Sequence, residues 1–553
     1  MTDDNYIITF SNKTDDAIEP FLHPTTEPND DNRRGLEGYH IQMIAIGGTI
    51  GSGLFIGSGS ALASGGPGNV LFGYLTMGVG LYFTMQALGE MCAVFPIEGS
   101  FSSYSTRFIH PAWGFAMTWN YIMQWWATLP LEISGAVLTL SYWSNNINLP
   151  GYITLFLSLV VAINMVFGVK AFGNSEVFFS AIKVIAVIVF IIVGIVINLG
   201  GSPSHKYFGT ETWRDPGAFY NGFHGYLGQF VNAAFSYSGT ELVGLAANVT
   251  KKPYETLPPA INYVVFRIII FYVLSLLVVG FIVPYTNPDL LGGESEVDTS
   301  PFVIAANLGG LSGFGDFMNF VILVSTISVA NSSVFGASET MLALVKSKQI
   351  PEVFGYMYNG RPIVAIIISL LFGLIAYVSV NDGSAATCFN WILAISGLSS
   401  LFTWLSICVA HIRFRAAWLR AGRSLEELPF QAQFGVAGSW IGMAVIVLAL
   451  SSAFYVSLFP AFGYPAPSDD DATLSVYYFF SLYLACPVIL VSFLVYWVYL
   501  RVWFPAGGWH MLPLDAIDMD SGMADFPSVD ELRRIRQDRA KNGFLSRLFS
   551  AQA

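Results

Sequence analysis

The chain has 553 residues, of which 54% are hydrophobic and 11% charged, and its mean hydropathy is +0.57. Because soluble domains carry about 25% charged residues, this composition excludes an ordinary soluble protein and predicts a polytopic membrane protein. The net charge of −12 gives no sign of a nucleic-acid partner, since the acids lie in tails and loops. The four cysteines show neither a disulfide framework nor a metal-ligand spacing, so no metal or cofactor is expected.

Hydrophobic spans follow one another along most of the chain, and each is long enough for a membrane-crossing helix of about 20 residues. The twelve spans are 41–62, 70–95, 112–141, 151–168, 176–199, 226–247, 262–284, 316–345, 363–380, 387–410, 437–460 and 475–503. The third and the eighth are unusually long, which predicts tilt or helix continuing beyond the hydrocarbon. The sequence therefore predicts an all-α membrane protein with twelve transmembrane helices.

Positively charged residues indicate the orientation of these spans. With the N-terminus inside, the outer loops contain only Lys206 and Arg214, together with acids such as Asp469. This asymmetry follows the positive-inside rule and predicts that both tails are cytoplasmic. Residues 1–39 are polar and acidic, without the apolar core of a signal peptide, and are expected to form a largely disordered cytoplasmic tail.

Glycines interrupt the first span between Gly47 and Gly59, where the sequence is GGTIGSGLFIGSG. Glycine costs a helix up to about 1 kcal/mol per residue relative to alanine, so this stretch is a poor helix former. A break at membrane depth is tolerated only where it is buried in protein or faces a watery cavity. The cluster therefore predicts a binding site for a polar ligand, and close helix packing is the alternative explanation.

A second interruption is predicted in the sixth span, where residues Phe235 to Glu241 read FSYSGTE. It lies five spans after the first interruption, and because five is odd, the sixth helix crosses the membrane in the opposite direction. Two glycine-interrupted helices at matching places in two inverted halves are typical of the midplane site of a secondary transporter. The pair is a much more specific signal than either interruption alone.

The two interruptions favour ligand groups of opposite charge. Helix resumes after Gly53, and free N–H groups at a helix N-terminus favour an anion. Carbonyl groups released just before each break favour a cation. An amino acid carries one group of each kind close together, so a zwitterion suits this arrangement better than a sugar or a simple ion.

Three charged residues in the predicted spans are candidates for function. Glu241 lies in the second interruption, where function is favoured over a carboxylate that caps broken backbone. Lys183, in the fifth span, is expected to act electrostatically close to the site, and snorkelling to the interface is the alternative. For Glu132, in the third span, a pore-lining role and a helix-packing role both remain open.

Other charged residues lie towards the inner ends of the spans. Glu90 and Glu339 are expected to be solvated or locally paired carboxylates. His40, Arg267 and His411 are expected to be interfacial anchors. None of these five is assigned to the substrate site from its position alone.

Two further segments are expected on the cytoplasmic side. Residues 96–115 form an amphipathic loop that is a candidate part of an inner gate. In the tail, Ser528 to Glu531 matches a capping box. The basic segment that follows predicts a short amphipathic helix on anionic inner-leaflet lipid, and a solvated helix is the alternative.

Several motifs occur in one order along the chain. They are Gln42–Gly48 continuing into GSGLFIGSG, Gly65-Gly66-Pro67, Gly89-Glu90-Met91, Ala233–Leu245, Gly360-Arg361-Pro362 and His411–Arg415. From about Arg33 to Arg501 the chain resembles fungal amino-acid permeases of the yeast amino acid transporter family, in the amino acid–polyamine–organocation superfamily. This resemblance implies amino-acid uptake across the plasma membrane, driven by a proton gradient through alternating access.

The resemblance also implies a LeuT-like fold of two inverted five-helix repeats, with helices 1 and 6 broken at the midplane. The expected division is a first repeat at 40–200, a second at 225–411, two extra helices at 437–503 and a cytoplasmic tail at 504–553.

Site roles follow from the same resemblance. The N–H groups and hydroxyl around Ser52 and Gly53 would receive the substrate carboxylate. Carbonyl groups would hold the α-amine, and Phe235 would also act as a gate. The expected substrate-binding residues are Thr49, Gly51, Ser52, Gly53, Phe235, Ser236, Ser238 and Gly239.

The resemblance suggests how protons are coupled to the substrate. Lys183 matches a fifth-span lysine that occupies the space of a sodium ion in relatives, which favours protons over sodium. Glu241 matches the sixth-span acid and is the first choice for the proton-linked group. Glu132 is the third member of this expected group.

Two departures from the family pattern concern the inner gate. This chain has Asn248 where the family usually has an acid, and Glu339 follows Ser338 where the eighth span usually carries an arginine. A contact between Glu339 and the amide of Asn248 is expected to replace a carboxylate–arginine contact.

Other function classes remain as alternatives. A nutrient sensor with little flux, and an exchanger that is not coupled to protons, both use the same kind of site. An ion channel is disfavoured because the sequence has no repeated filter and no ring of like charges. An enzyme is disfavoured because no Ser/His/Asp set, metal cluster or phosphate loop is present. Neutral amino acids are the default expectation for the substrate.

Overall fold

The computed structural model describes residues 40, 43, 50–144, 148–248, 253–290, 299–358, 360–380, 385–459, 476–503, 511–525 and 527–534. Within these ranges the chain is almost entirely helical. The helices of the first half are α1 Ser52–Phe55, α2 Gly57–Val94, α3 Phe101–Phe108, α4 Pro111–Ser141, α5 Leu149–Ala162, α6 Gly168–Asn198, α7 Gly222–Tyr237 and α8 Leu242–Asn248.

The second half continues the same architecture. Its helices are α9 Pro253–Arg267, α10 Ser275–Ile282, α11 Pro301–Leu308, α12 Ser312–Lys346, α13 Ile363–Phe372, α14 Ala385–Arg420, α15 Gly435–Leu458, α16 Val476–Tyr483 and α17 Ala485–Trp503. The π-helical segments Ile163–Phe167 and Ile268–Leu274 join α5 to α6 and α9 to α10. A two-stranded antiparallel ribbon pairs β1 Met357–Tyr358 with β2 Arg361–Pro362.

Seven helices in the described ranges are long and apolar enough to cross a membrane, and two shorter apolar helices accompany them. The seven are Ser52–Val94, Gly173–Asn198, Pro253–Ile282, Ser312–Lys346, Trp391–Arg420, Gly435–Leu458 and Ala485–Trp503. The chain is therefore a multi-pass membrane protein. The number twelve stays a prediction, because several predicted spans are short, polar or interrupted.

The third predicted span is not among the seven helices identified by length and apolarity. Helix α4 is 31 residues long but buries polar side chains along one face. Asn120 donates to the carbonyl oxygen of Ser399 at 3.0 Å, and the hydroxyls of Thr128 and Ser396 lie 3.0 Å apart. These contacts join α4 to α14 through hydrogen bonds inside the protein, so the polar groups do not face lipid.

The first two predicted spans meet at a sharp bend within α2. Gly66 has φ 75° and ψ 167°, a left-handed conformation that favours glycine. A Cβ atom at this position would lie 2.9 Å from the carbonyl oxygen of Ala218, which also accepts a hydrogen bond from the N–H of Gly68 at 2.8 Å. The bend therefore requires glycine for both its backbone conformation and its close approach to the loop before α7.

The cytoplasmic loop predicted at residues 96–115 contains the buried helix α3. Part of the C-terminal tail lies across it. The N–H of Leu512 donates to the carbonyl of Ile109 at 3.1 Å, and the N–H of Ala524 donates to the carbonyl of Val94 at 2.9 Å. The tail thus connects the end of α2 with the end of α3.

The start of the predicted basic tail helix contacts protein. Leu532 is buried, and Arg533 forms an ion pair with Glu426. The remainder of the basic segment, after residue 534, lies outside the described residues, as do residues 1–39.

Three predicted interfacial anchors are buried instead, so that prediction was wrong. His40 and Arg267 are each 1% exposed and His411 is fully buried. Each has polar partners inside the protein, which satisfy the side chain without water. His40 lies 2.9 Å from Asn174 Oδ1, and Arg267 donates to the hydroxyl of Thr240.

Glu90 is the centre of a buried ion cluster at one end of α2. Its carboxylate accepts from Arg415 at 2.7 and 2.6 Å and from the N–H of Ala432 at 2.5 Å, and His411 Nε2 lies 3.1 Å away. The expectation of local pairing therefore holds, whereas the carboxylate is not solvated. The cluster ties α2 to α14 and to the segment that leads into α15.

We expect Glu90→Ala to destabilise the protein by about 3 kcal/mol, because removing one partner leaves buried charge uncompensated. The check is the fraction of detergent-solubilised protein that stays monodisperse after heating. The matched control is Glu211→Gln, which removes a carboxylate from the exposed Lys206–Glu211 pair. Equal heat resistance in both variants would contradict the assigned role of Glu90.

Candidate functional site

The first interruption lies before α1. Gly51 is extended, with φ −139° and ψ −155°, and helix begins at Ser52 and resumes at Gly57 after Ile56. Gly51, Ser52 and Gly53 are all buried. Thr49, one of the expected carbonyl ligands, lies outside the described residues.

The second interruption separates α7 from α8. Residues 238–241 form turns instead of helix, and Gly239 has φ 86°. The N–H of Ser238 donates to the carbonyl of Phe235 at 3.0 Å, and the N–H of Gly239 donates to Glu241 at 3.1 Å. Backbone groups freed from the helix are therefore bonded locally.

The two interruptions are in direct contact. A Cβ atom built on Gly53 would lie 2.7 Å from the Cα of Ser236 and 2.9 Å from the ring of Phe235. Only a residue without a side chain lets α1 approach the end of α7 this closely. The structure therefore places α1 in contact with the C-terminal end of α7.

Glu132 reaches from α4 into the first interruption. Its Oε1 accepts a hydrogen bond from the hydroxyl of Ser52 at 2.8 Å, and its Oε2 lies 3.4 Å from the Ser52 nitrogen, which donates to it. These are the groups that the sequence assigns to the substrate carboxylate. A carboxylate of the protein itself thus occupies that position, at the N-terminus of a helical turn.

Serines from other helices bond the remaining carbonyls of the first interruption. Ser325 of α12 donates to the carbonyl of Ile50 at 2.5 Å. Ser300, which caps α11, donates to the carbonyl of Phe55 at 2.6 Å. The sequence analysis did not single out either serine, because each is an ordinary hydroxyl until the fold brings it to the broken backbone.

Two of the carbonyl groups expected to hold an α-amine, those of Phe235 and Ser236, also have partners. The carbonyl of Ser236 accepts from the hydroxyl of Tyr272 at 2.9 Å. The hydroxyl of Ser238 accepts from Gln124 at 2.7 Å and from Ser400 at 3.0 Å. The second interruption is therefore held by side chains of α4, α14 and the segment before α10.

Glu241 is fully buried beside this interruption. Besides accepting from Gly239, it accepts from the indole N–H of Trp404 at 3.1 Å. Arg267 donates to Thr240, the residue before it. Glu241 therefore has the geometry of a carboxylate that caps broken backbone, which is the alternative that the sequence left open.

Three neighbouring residues of α4 carry buried polar atoms near the second interruption, and Tyr121 interacts there with Trp125 and Glu241. They are Tyr121 Oη, Gln124 Oε1 and Trp125 Nε1. Their spacing of three and four residues places them on one side of the helix. The other end of the Gln124 amide bonds Ser238, so this side adjoins the second interruption.

Lys183 is buried on α6 and donates to the hydroxyl of Ser328 on α12 at 2.8 Å. The same hydroxyl lies 3.0 Å from a carboxylate oxygen of Glu176. Sequence reasoning missed Glu176 because it is the first residue of the predicted fifth span. Helix α6 begins earlier, at Gly168, so Glu176 lies inside it. Glu176 and Lys183 are seven residues apart, which is about two helical turns. This spacing, which places both side chains on one side of the helix, was the signal that could have found Glu176.

The expected gate pair is only partly described. Glu339 is buried on α12, 6% exposed. The side chain of Asn248 lies outside the described residues, so the contact between Glu339 and Asn248 stays a prediction.

No group of His, Cys, Asp and Glu side chains that could hold a metal occurs in the ranges that the structure describes.

The sequence has clear relatives. A family model described as amino acid permease matches residues 40–506. Amino-acid permease inda1 of Hypocrea atroviridis is 44% identical over 500 residues, which cover 89% of this chain and 85% of that protein. General amino-acid permease GAP1 of Saccharomyces cerevisiae is 43% identical over 495 residues, which cover 88% and 80%.

Among solved structures, the chain is similar to Mhp1, a nucleobase-cation-symport-1 family transporter. The TM-score is 0.47 and the identity 17%, with 88% of this chain and 98% of that chain covered. A TM-score below 0.5 does not establish the fold.

The long apolar helices and the sequence relatives define a multi-pass membrane protein. The chain belongs to the amino acid permease family. The relatives in this family are permeases, so the protein is not an enzyme.

We expect Gly53→Ala to destabilise the protein by about 1–3 kcal/mol, because the added methyl group would overlap the backbone of Ser236. The measurement is the apparent melting temperature in detergent. Gly228→Ala on α7 is the matched control, since a Cβ there meets nothing within 4 Å. A melting temperature that falls equally in both variants would argue against a close contact at Gly53.

Proposed function

We propose that this protein imports amino acids across the plasma membrane, together with protons, by alternating access. In this proposal the chain has twelve transmembrane helices with both tails inside, and residues 40–200 and 225–411 form inverted five-helix repeats. Helices 1 and 6 are the interrupted ones, at the membrane midplane. The names of the relatives support amino acids as substrates, and the word "general" in one of them supports a broad set.

One observation carries the proposal: Glu132 binds the backbone N–H and hydroxyl of Ser52 at the first interruption. A substrate carboxylate needs the same donors. Two carboxylates cannot share them while both are charged, because like charges at that distance repel strongly. Binding of substrate therefore requires Glu132 to leave Ser52 or to take up a proton.

Protonation of Glu132 would link the two ligands directly. A neutral carboxyl group binds N–H donors more weakly than a carboxylate does. An external proton would thus release Ser52 for the substrate carboxylate, and the incoming carboxylate would favour the protonated form of Glu132. Proton and substrate would then enter together and close the outer gate together.

Glu241 is the second proposed proton carrier. It caps the second interruption through Gly239, so a proton there would loosen the turn that joins α7 to α8. The carbonyls of Phe235 and Ser236 would hold the α-amine, with Phe235 as the gate. Lys183 would contribute positive charge near the first interruption.

The polar atoms on this side of α4 would face the substrate side chain. Tyr121, Gln124 and Trp125 offer both donors and acceptors beside Ser238. We propose that neutral amino acids are accepted, including those with side chains that form hydrogen bonds.

Uptake of labelled amino acids into cells or vesicles should exceed equilibrium when an inward proton gradient is imposed, and should fall to equilibration when an ionophore collapses the gradient. Accumulation that survives the ionophore would reject proton coupling and favour an exchanger. Binding of the labelled amino acid without flux would favour a sensor.

Glu132→Gln should make the apparent affinity for substrate independent of external pH, because glutamine resembles the protonated acid. In the wild type the affinity for substrate should improve as the external pH falls.

Glu241→Gln should abolish accumulation, and Glu211→Gln, at an exposed position, should behave as wild type. A Glu132→Gln variant with an unchanged pH profile would remove Glu132 from the mechanism, and unchanged accumulation in Glu241→Gln would do the same for Glu241.

A further inference from the structure

A continuous line of hydrogen bonds connects α6 with α12 beside the first interruption. Lys183 Nζ donates to Ser328 Oγ at 2.8 Å, and Ser328 Oγ lies 3.0 and 3.2 Å from the two carboxylate oxygens of Glu176. All three residues have no exposed surface. The Ser328 hydroxyl therefore accepts from the amine and donates to the acid at the same time.

The chemistry of this line suits proton transfer. A hydroxyl that accepts at its oxygen and donates its own hydrogen can pass a proton without moving. The Nζ–H bond of Lys183 would break as a new Oγ–H bond forms on Ser328. The original Oγ–H bond of Ser328 would break as an O–H bond forms on Glu176. A lysine ammonium and a carboxylate would thereby become a neutral amine and a neutral acid.

The surrounding charges favour one exchangeable proton in this region. Lys183 interacts electrostatically with Glu132 of α4 as well as with Glu176. Two ionised carboxylates and one ammonium would leave a buried net negative charge, which is costly. One additional proton shared by the three groups makes the cluster neutral. Helix α12 faces Glu176 with Ser328, Asn331 and Ser332, none of which is charged.

The direction of transfer follows from the helices. Glu176 lies seven residues before Lys183, about 10 Å nearer the N-terminal end of α6. Asn331 and Ser332, which face Glu176, lie on the Lys346 side of Ser328 on α12. The charged loops assign both of these helix ends to the cytoplasm. His40, 1% exposed, lies 2.9 Å from the side chain of Asn174, which is two residues farther in the same direction.

We propose that Glu176 is the group that takes the coupled proton from Lys183 through Ser328 and carries it towards the cytoplasm. This inference rests on the proposed proton-coupled transport. It assigns Glu132 to the outer step, in which proton and substrate bind, and Glu176 to the inner step, in which the proton leaves. The competing explanation is that Glu176 is only a counter-ion that keeps Lys183 charged in the membrane.

The test uses the full-length protein in liposomes that contain a pH-sensitive dye, with labelled amino acid supplied outside. Glu176→Gln should lower gradient-driven net uptake and the accompanying proton entry at least tenfold. Exchange of labelled for unlabelled amino acid should stay within about twofold of wild type, because the outer step and the substrate site are intact. The KM for substrate should likewise stay within about twofold.

Ser328→Ala distinguishes the relay from a counter-ion role, because it breaks the hydrogen-bonded line and leaves both charges in place. Ser328→Ala should lose net uptake as Glu176→Gln does. Glu176→Asp, which keeps the carboxylate, should retain part of the net uptake that Glu176→Gln loses. Ser333→Ala is the matched control on the same helix, since its hydroxyl bonds only to the carbonyl of Ala330.

The outcomes separate the relay from the proposed function. Wild-type net uptake in Ser328→Ala, or wild-type proton entry in Glu176→Gln, would overturn the relay. Loss of exchange in parallel with net uptake in both variants would also overturn it, because the residues would then support the fold or the substrate site. Failure of the wild-type protein to couple uptake to protons would instead reject the proposed function.

Discussion

Backbone polar groups that leave a helix inside a membrane must find partners, and this constraint organises the centre of the molecule. At the first interruption the partners are Glu132, Ser300 and Ser325, which come from three different helices. At the second they are Glu241 and Tyr272. Each partner is polar and buried, so the helices that carry them are less apolar than lipid-facing helices. Several helices therefore contribute polar groups to the interior of the bundle beside these two segments.

The arrangement of carboxylates suggests why such a site would respond to protons. Glu132 and Glu241 each hold one interruption, and each binds backbone N–H groups more tightly when it is charged. A change of protonation would thus alter the backbone at the place where a ligand binds. Lys183 and Glu176 are two further buried charged residues, and the hydroxyl of Ser328 joins them by hydrogen bonds. The carboxylates of Glu132 and Glu241 are thus hydrogen-bonded directly to the backbone of these two segments.

A second set of charges lies at one end of α2. Glu90, Arg415 and His411 join α2 to α14, and the tail segment that contains Leu512 joins the ends of α2 and α3. These contacts were difficult to foresee, because charged residues near span ends are usually solvated. The carboxylate of Glu90 is enclosed by Arg415 and His411 of α14 and by the segment that contains Ala432.

The sequence by itself determined the class of protein, and it singled out the two glycine-containing segments that the structure places in contact. Composition, glycine clusters and loop charges are local properties of the chain, so they need no coordinates. Tertiary structure decided which groups meet. Ser52 and Glu132 are 80 residues apart, and Ser328 and Glu176 are 152 residues apart. A hydroxyl or carboxylate in an apolar span has many possible partners, and helix packing alone selects one of them. For the same reason the spacing could not show that a protein carboxylate occupies the expected place of the substrate, or that Arg267 and His411 are buried.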